Sequence, residues 1–169
     1  LIAVDVSGSM TSPMGFGIPE MSSCMAAAAM AMVFARTEKN YYVMGFCHEF
    51  VDLGITAKDT LPSAMSAAQK SSFGGTDTGI AIKWALNKRI PLGAIMVISD
   101  CEAWMGTHTD ILMDKYRREM GLPDTKLVVV GTTSNGITLA SPTDRNALDV
   151  VGFDTNAPQI ISDFIRGDI

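Results

Sequence analysis

The chain has 169 residues, 47% of them hydrophobic, and a formal charge of −5 at pH 7. This length fits one domain with a full hydrophobic core, and the acidic charge excludes a self-sufficient nucleic-acid binder, since such proteins hold phosphates mainly through clustered Lys and Arg. No apolar run reaches the ~20 residues that a membrane helix needs, so we expect no contact with a membrane.

Short apolar strands alternate with helical stretches along the whole chain. Several of the strands are apolar throughout, which is typical of a parallel sheet that is covered on both faces. The alternation predicts an α/β fold with a doubly wound, mostly parallel sheet flanked by helices, and with one antiparallel edge strand. In chain order, the predicted elements are strand Leu1–Val4, helix Met21–Arg36, strand Tyr41–Phe46, edge strand Phe50–Leu53, helix Leu61–Gln69, helix Asp77–Asn87, strand Ala94–Ile98, helix Thr109–Met120, strand Lys126–Val130, strand Leu148–Val151 and helix Pro158–Ile165.

The first strand runs directly into a loop with an oxygen-bearing side chain at every second position, the pattern D-x-S-x-S at Asp5, Ser7 and Ser9. Side chains alternate between two faces along an extended segment, so these three can point the same way. One carboxylate and two hydroxyls form a hard, oxygen-only cluster. Such a cluster suits Mg²⁺ or Mn²⁺, which accept oxygen ligands and keep several waters.

Two later segments carry oxygen-bearing side chains to the same predicted edge of the sheet. Gly74-Gly75-Thr76 lies just before a predicted helix, and Asp100 ends a buried strand as Asp5 does. The carboxyl ends of parallel strands meet at one edge, where ligands of doubly wound sheets bind. Each segment alone is more often a turn or a helix cap than a ligand, but the three in this order predict a metal site.

The order D-x-S-x-S, then G-G-T, then a strand-terminal Asp resembles the metal-ion-dependent adhesion site of von Willebrand factor type A domains. The order of strands and helices is similar to that family over the whole chain. The resemblance implies a Rossmann-like von Willebrand factor A fold for residues 1–169, and a set of ligands of which some act through water. The implied ligands of the cation are Asp5, Ser7, Ser9, Thr76 and Asp100.

Several further segments carry a narrower resemblance. They are Arg36–Lys39, Gly74–Asp77, Ser99–Glu102, Thr133–Ala140, Pro142, Asp144-Arg145 and Gly152–Thr155. Together they resemble the carboxy-terminal domain of the Ro ribonucleoprotein autoantigen (TROVE) family. The resemblance implies a module attached to a helical-repeat RNA-binding region, in a cytoplasmic and also nuclear protein that holds small noncoding Y RNA and misfolded RNA. A chain that starts at Leu1, as if in mid-strand, agrees with a domain of a longer protein.

The expected function is that of an interaction module rather than an enzyme, and no residue is assigned a catalytic role. A site with few carboxylates leaves a bound cation with much of its positive charge, which keeps it electrophilic towards an incoming anion. In the resembling family, a Glu or Asp of a protein partner often fills the open coordination position. We therefore expect divalent-cation binding that supports the docking of a protein partner.

The alternative interpretation is a Mg²⁺-dependent phosphatase of the haloacid-dehalogenase type, because those enzymes also place an Asp at the end of the first strand. They need a second Asp two residues later as general acid/base, and Ser7 stands at that position here. A serine hydrolase that pairs Ser7 or Ser9 with His48 or His108 would lack the G-x-S-x-G elbow. Turnover of a generic aryl phosphate that depends on Asp5 would decide for the phosphatase.

Other polar residues have simpler explanations. Asp77 and Glu102 are expected to be a helix-start residue and a loop residue near the metal edge, where either could hydrogen-bond a ligand. Lys115, Arg117 and Arg118 crowd the end of one predicted helix. We expect them to be solvated charges on its outer face rather than an RNA-binding patch.

The three cysteines are too few and too scattered for a disulfide framework or a zinc site, and they include no C-x-x-C pair. Reduced thiols fit a cytosolic protein. Cys24 and Cys47 are expected to be buried and inert, whereas Cys101 directly follows the predicted ligand Asp100.

Overall fold

The computed structural model describes residues 1–13, 21–69, 75–100, 108–133 and 139–169. Six strands in these ranges form one sheet, and five α-helices flank it. The helices and strands are β1 (Ile2–Asp5), α1 (Ser23–Thr37), β2 (Val43–Phe46), β3 (Phe50–Asp52), α2 (Leu61–Gln69), α3 (Ile80–Asn87), β4 (Ala94–Ser99), α4 (Thr109–Met120), β5 (Lys126–Gly131), β6 (Ala147–Val151) and α5 (Ala157–Arg166).

The strand order is β3-β2-β1-β4-β5-β6, and every neighbouring pair is parallel except β2 and β3. This order confirms the predicted mostly parallel sheet with one antiparallel edge strand. The chain moves outward from β1 to β3 and then returns to place β4 on the other side of β1. The strand order therefore reverses between β1 and β4, which is where doubly wound sheets bind their ligands.

Buried side chains form two layers, one on each face of the sheet. Successive residues of β1 point to opposite faces, so Ile2 and Val4 pack in the layer of α1, α2 and α5, while Ala3 packs in the layer of α3 and α4. Helix α1 is buried on nearly every side, as its run of Ala and Met predicts. It begins where the side chain of Ser22 accepts a hydrogen bond from the N–H of Met25.

The predicted start of one helix was wrong by a turn. Helix α3 begins at Ile80 rather than at Asp77. The carboxylate of Asp77 accepts a hydrogen bond from the N–H of Gly79 at 3.0 Å, and its carbonyl accepts one from the N–H of Ile80 at 3.2 Å. Asp side chains that bond the backbone two residues later stabilise a turn, so the helix starts only after that turn is complete.

The basic side chains of α4 do not form one solvated group, and the expectation was wrong for Arg117. Lys115 and Arg118 are exposed, but the side chain of Arg117 is only 10% exposed and its Nη1 lies 2.6 Å from Oδ2 of Asp144. Arg117 also donates hydrogen bonds to the carbonyls of Thr125 and Asn146. The guanidinium group carries five N–H donors in one plane and can therefore bond several acceptors at once. Arg117 thereby joins α4 to the segments on either side of β5.

The remaining expectations concern the cysteines and the membrane. Cys24 and Cys47 are buried, as predicted, while Cys101 lies outside the described residues. No helix in the described ranges combines the length and the apolar character needed to cross a membrane.

Candidate metal site

Asp5 lies at the carboxyl end of β1 and is fully buried. Its Oδ1 accepts a hydrogen bond from the N–H of Ser7 at 2.8 Å. Its Oδ2 accepts one from the hydroxyl of Ser99, the last residue of β4, at 2.7 Å. These two bonds orient the carboxylate at the point where the strand order reverses.

The two serines of the D-x-S-x-S pattern lie side by side. Ser7 is extended, and a short 3-10 helix follows at Gly8–Thr11. The hydroxyl oxygens of Ser7 and Ser9 are 3.0 Å apart. The predicted meeting of these side chains is thus reached by a turn of 3-10 helix rather than by continued extended backbone. These two hydroxyls offer a cation two uncharged oxygen ligands close to Asp5.

Thr76 is brought to the same edge by the backbone of the next residue. The N–H of Asp77 donates to the carbonyl of Cys47 at 3.1 Å. Cys47 directly follows β2, whose last residue, Phe46, pairs with Asp5 in the sheet. Thr76 is 95% buried, with 5% of its surface exposed. Of the G-G-T segment, Gly74 lies outside the described residues.

Asp100 follows β4, the strand on the other side of β1, and is almost fully buried. The hydroxyl of Thr133 donates to the Asp100 carbonyl at 2.8 Å, and the N–H of Thr132 donates to the Ser99 carbonyl at 2.9 Å. The end of β5 therefore holds the backbone that carries this carboxylate.

Burial raises the pKa of Asp5, because it penalises the charged form. The hydrogen bonds from Ser99 and Ser7 lower the pKa, and the nearby negative charge of Asp100 raises it again. Two buried carboxylates that repel each other would both be stabilised by a divalent cation between them. Together with the three hydroxyl-bearing residues, they form an oxygen-only set that fits Mg²⁺ or Mn²⁺.

The described residues hold no group of three or more His, Cys, Asp or Glu that could bind a metal. This finding does not conflict with the candidate site, because three of its five side chains are hydroxyls. A hydroxyl-rich set with two carboxylates suits a hard cation that keeps part of its water shell.

Residues around the site divide into those that hold it and those that do not. Ser99 was not among the expected site residues, although a polar side chain at the end of an apolar strand, directly before Asp100, was a usable signal. His108 is exposed at the start of α4, and Glu102 lies outside the described residues. His48 contacts Cys47, with Nδ1 at 3.4 Å from Sγ.

Comparison with known proteins identifies the family of this chain. A sequence model described as the Ro60 vWA domain matches residues 1–165. The RNA-binding protein RO60 of Deinococcus radiodurans is 45% identical over 170 residues, which are 100% of this chain and 32% of the relative. The chain therefore spans about a third of the length of that relative.

Solved structures agree in fold with this match. The crystal structure of the Deinococcus radiodurans RO (RSR) protein has a TM-score of 0.90 at 45% identity, over 99% of this chain and 34% of that chain. The manganese-loaded Plasmodium vivax TRAP protein has a TM-score of 0.55 at 17% identity, over 96% of this chain and 71% of that chain, and it shows the fold alone. The sheet order, the family match over residues 1–165 and the 45% identical relative show that this chain belongs to the Ro60 vWA domain family.

Proposed function

We propose that this domain binds Mg²⁺ or Mn²⁺ and uses the ion to dock a protein partner that supplies a carboxylate. The observation that carries the proposal is the placement of Asp5 and Asp100, two buried carboxylates of adjacent strands, beside the paired hydroxyls of Ser7 and Ser9. The proposed ligands are Asp5, Ser7, Ser9, Thr76 and Asp100.

The charge balance of the site supports docking. Only two of the five proposed ligands, Asp5 and Asp100, are carboxylates, so a bound divalent cation would keep much of its positive charge. When bound, the cation supplies the positive charge that attracts the carboxylate of a partner. Ser7, Ser9 and Thr76 contribute neutral oxygens, so the protein itself adds no third carboxylate to the proposed set. An external Glu or Asp can then complete the coordination.

The same geometry supports a non-enzymatic module over a phosphatase. The hydroxyl of Ser7 is hydrogen-bonded to the hydroxyl of Ser9, so the position that would need a general acid/base holds a paired serine. Absence of turnover of a generic aryl phosphate, in wild type with Mg²⁺, is the expected result. Turnover that is lost in Asp5→Ala would overturn this part of the proposal.

Calorimetric titration of Mn²⁺ into wild type, Asp5→Ala and Asp52→Ala tests the metal site. Asp52 is an exposed carboxylate in β3, so its variant is a matched control for the loss of one negative charge. We expect binding to wild type and to the control, and none to Asp5→Ala. Equal, negligible heats in all three proteins would sink the proposal.

The carboxylate partner can be tested separately with acetate as the probe. A carboxylate that enters the open coordination position displaces a water from protein-bound Mn²⁺, which lowers the relaxation rate of water protons. We expect acetate to lower that rate with wild type and chloride at the same ionic strength to leave it unchanged. An equal response to both anions would contradict docking at the ion.

We further propose that the full-length protein binds RNA, namely small noncoding Y RNA and misfolded RNA, mainly through a region outside these 169 residues, in the cytoplasm and also in the nucleus. The 45% identical relative, the RNA-binding protein RO60 of Deinococcus radiodurans, supports the RNA partner. The charge of −5 and the ion pair of Arg117 support a minor role for this domain. In a gel-shift assay, we expect the full-length protein to bind RNA and the isolated domain to bind weakly or not at all; tight binding by the domain would contradict this division.

A further inference from the structure

We propose that Asp77 and Lys83 are positioning residues of the candidate metal site, and that their ion pair holds Thr76 at the edge of the sheet. Oδ2 of Asp77 lies 2.9 Å from Nζ of Lys83, which is in the first turn of α3. This inference rests on the proposed metal binding, because the residue that the pair positions is one of the proposed ligands.

Asp77 is anchored by all of its polar groups. Its Oδ1 accepts the N–H of Gly79 and its Oδ2 accepts Lys83, while its backbone N–H donates to the carbonyl of Cys47 and its carbonyl accepts the N–H of Ile80. One residue thereby links the end of β2 to the start of α3. The carboxylate of Asp77 is paired with the charged ammonium group of Lys83, whereas that of Asp5 accepts hydrogen bonds from the uncharged Ser7 N–H and Ser99 hydroxyl, and this difference separates Asp77 from the proposed ligands.

This anchor decides where Thr76 lies. Thr76 directly precedes Asp77, and its other neighbour is the exposed Gly75. Glycine restricts the backbone less than any other residue, so Gly75 itself adds little constraint on the position of the threonine. The fixed backbone of Asp77 therefore places the threonine beside the ends of β2 and β1. Without Lys83, the carboxylate of Asp77 is free to rotate away from the turn that it stabilises.

Because the Asp77–Lys83 ion pair is partly exposed, its effect on metal binding can be measured separately from its effect on the stability of the fold. The side chains of Lys83 and Asp77 are 36% and 20% exposed, and ion pairs near the surface contribute little to the free energy of unfolding. Residues that orient metal ligands, in contrast, change metal affinity by about 10-fold to 100-fold when they are replaced. Loss of the pair should therefore weaken metal binding far more than it weakens the fold.

The test compares Mn²⁺ affinity and metal-free melting temperature in Lys83→Met, Asp77→Asn and the control Lys115→Met. Methionine keeps the length and helix propensity of lysine without its charge. Asparagine keeps the oxygen that accepts the Gly79 N–H and removes the ion pair. Lys115 forms an exposed pair with Glu119 on α4, at 3.9 Å. We expect a loss of about 10-fold in Mn²⁺ affinity for the first two variants, none for the control, and recovery in Lys83→Arg.

A second measurement does not depend on the metal. Hydrogen exchange of the Asp77 amide, which donates to the Cys47 carbonyl, should become faster in metal-free Lys83→Met and stay unchanged in Lys115→Met. Unchanged exchange and unchanged Mn²⁺ affinity in Lys83→Met would overturn the inference while leaving the proposed function in place. If wild type bound no Mn²⁺, the proposed function would fail. Faster exchange in Lys83→Met would then still support the positioning of Thr76, and unchanged exchange would overturn it.

Discussion

Two clusters of polar side chains, one buried and one partly buried, differ in the sign of their charges. At the carboxyl ends of β1 and β4, Asp5 and Asp100 carry like charges, and their repulsion adds to the effect of burial on the pKa of Asp5. Between α4 and the segments around β5, Arg117 and Asp144 carry opposite charges, and carbonyls accept the other guanidinium donors. The second cluster is complete within the protein and holds the fold together. Under the proposed function, the first cluster is completed by a divalent cation.

The largest expected effect comes from breaking the complete cluster. Arg117→Met removes the ion pair with Asp144 and the guanidinium hydrogen bonds to the carbonyls of Thr125 and Asn146, and we expect the free energy of unfolding to fall by about 3 kcal/mol. Urea unfolding measures the change, with the exposed Arg118→Met as a control that should lie near wild type. Mn²⁺ affinity should stay unchanged in Arg117→Met. A matching loss of Mn²⁺ affinity would mean that the two clusters are not independent.

A smaller effect is expected at Tyr116, which extends the complete cluster along α4. Its buried hydroxyl donates to the carbonyl of Ile90 at 2.7 Å and accepts the N–H of Leu92 at 2.9 Å. Tyr116→Phe removes the hydrogen-bond partner of both backbone groups, at a cost of about 2 kcal/mol in thermal or urea unfolding. The exposed Tyr42→Phe is the control. A loss of stability no larger than that of Tyr42→Phe would show that water replaces the Tyr116 hydroxyl as the partner of these backbone groups.

At the candidate metal site, we expect a substitution to raise the free energy of unfolding rather than to lower it. Asp5→Asn removes a buried charge that burial and Asp100 both disfavour, so the free energy of unfolding at neutral pH, in the presence of a chelator, should rise by about 1 kcal/mol. Added Mn²⁺ should raise the melting temperature of wild type and leave that of Asp5→Asn unchanged. Destabilisation of the metal-free variant would indicate that the carboxylate of Asp5 serves the fold and not a cation.

The smallest effect is expected at Asp59, an exposed carboxylate that belongs to neither cluster. Hydrogen bonds from the N–H and hydroxyl of Thr56 and from the hydroxyl of Ser63 lower its pKa below 3.8. A carboxyl group with a lowered pKa in the folded state stabilises the protein above its unfolded-state pKa, and this contribution disappears as the pH falls through the folded-state pKa. Asp59→Asn should therefore be slightly less stable than wild type at pH 6, and the difference should vanish in acid. A difference that persists at a pH below the folded-state pKa of Asp59 would assign the effect to side-chain shape rather than to charge.

Much of the fold was predictable because its signals are local. Apolar runs gave the six strands nearly residue by residue, and helical spacing gave the five helices, with an error of one turn at the start of α3. The error has a local cause as well, since Asp77 bonds Gly79 and builds a turn before the helix. Strand-terminal Asp5 and Asp100 were predicted to share an edge because parallel strands end together, and the structure places them so.

The partners that meet in the supporting contacts were not predictable, because these contacts join distant parts of the chain. Ser99 bonds Asp5 across 94 residues, and Arg117 bonds Asp144 across 27. Arg117 and Arg118 are sequence neighbours of the same residue type. Only tertiary packing determines that Arg117 forms an ion pair with Asp144 and that Arg118 is exposed. The assignment of five ligands stays a prediction that the Mn²⁺ titrations will test.

The amino-acid sequence by itself determined the α/β alternation, the family resemblance and the candidate ligands, because hydrophobic periodicity and short motifs are properties of neighbouring residues. The tertiary structure alone decided which polar side chains meet. Strand order brings β4 beside β1 and so places Ser99 against Asp5, and the backbone bond from Asp77 to Cys47 places Thr76 beside β2. Such meetings depend on how the sheet is assembled, since a hydrogen bond or a charge repulsion acts only over the few ångströms that folding creates.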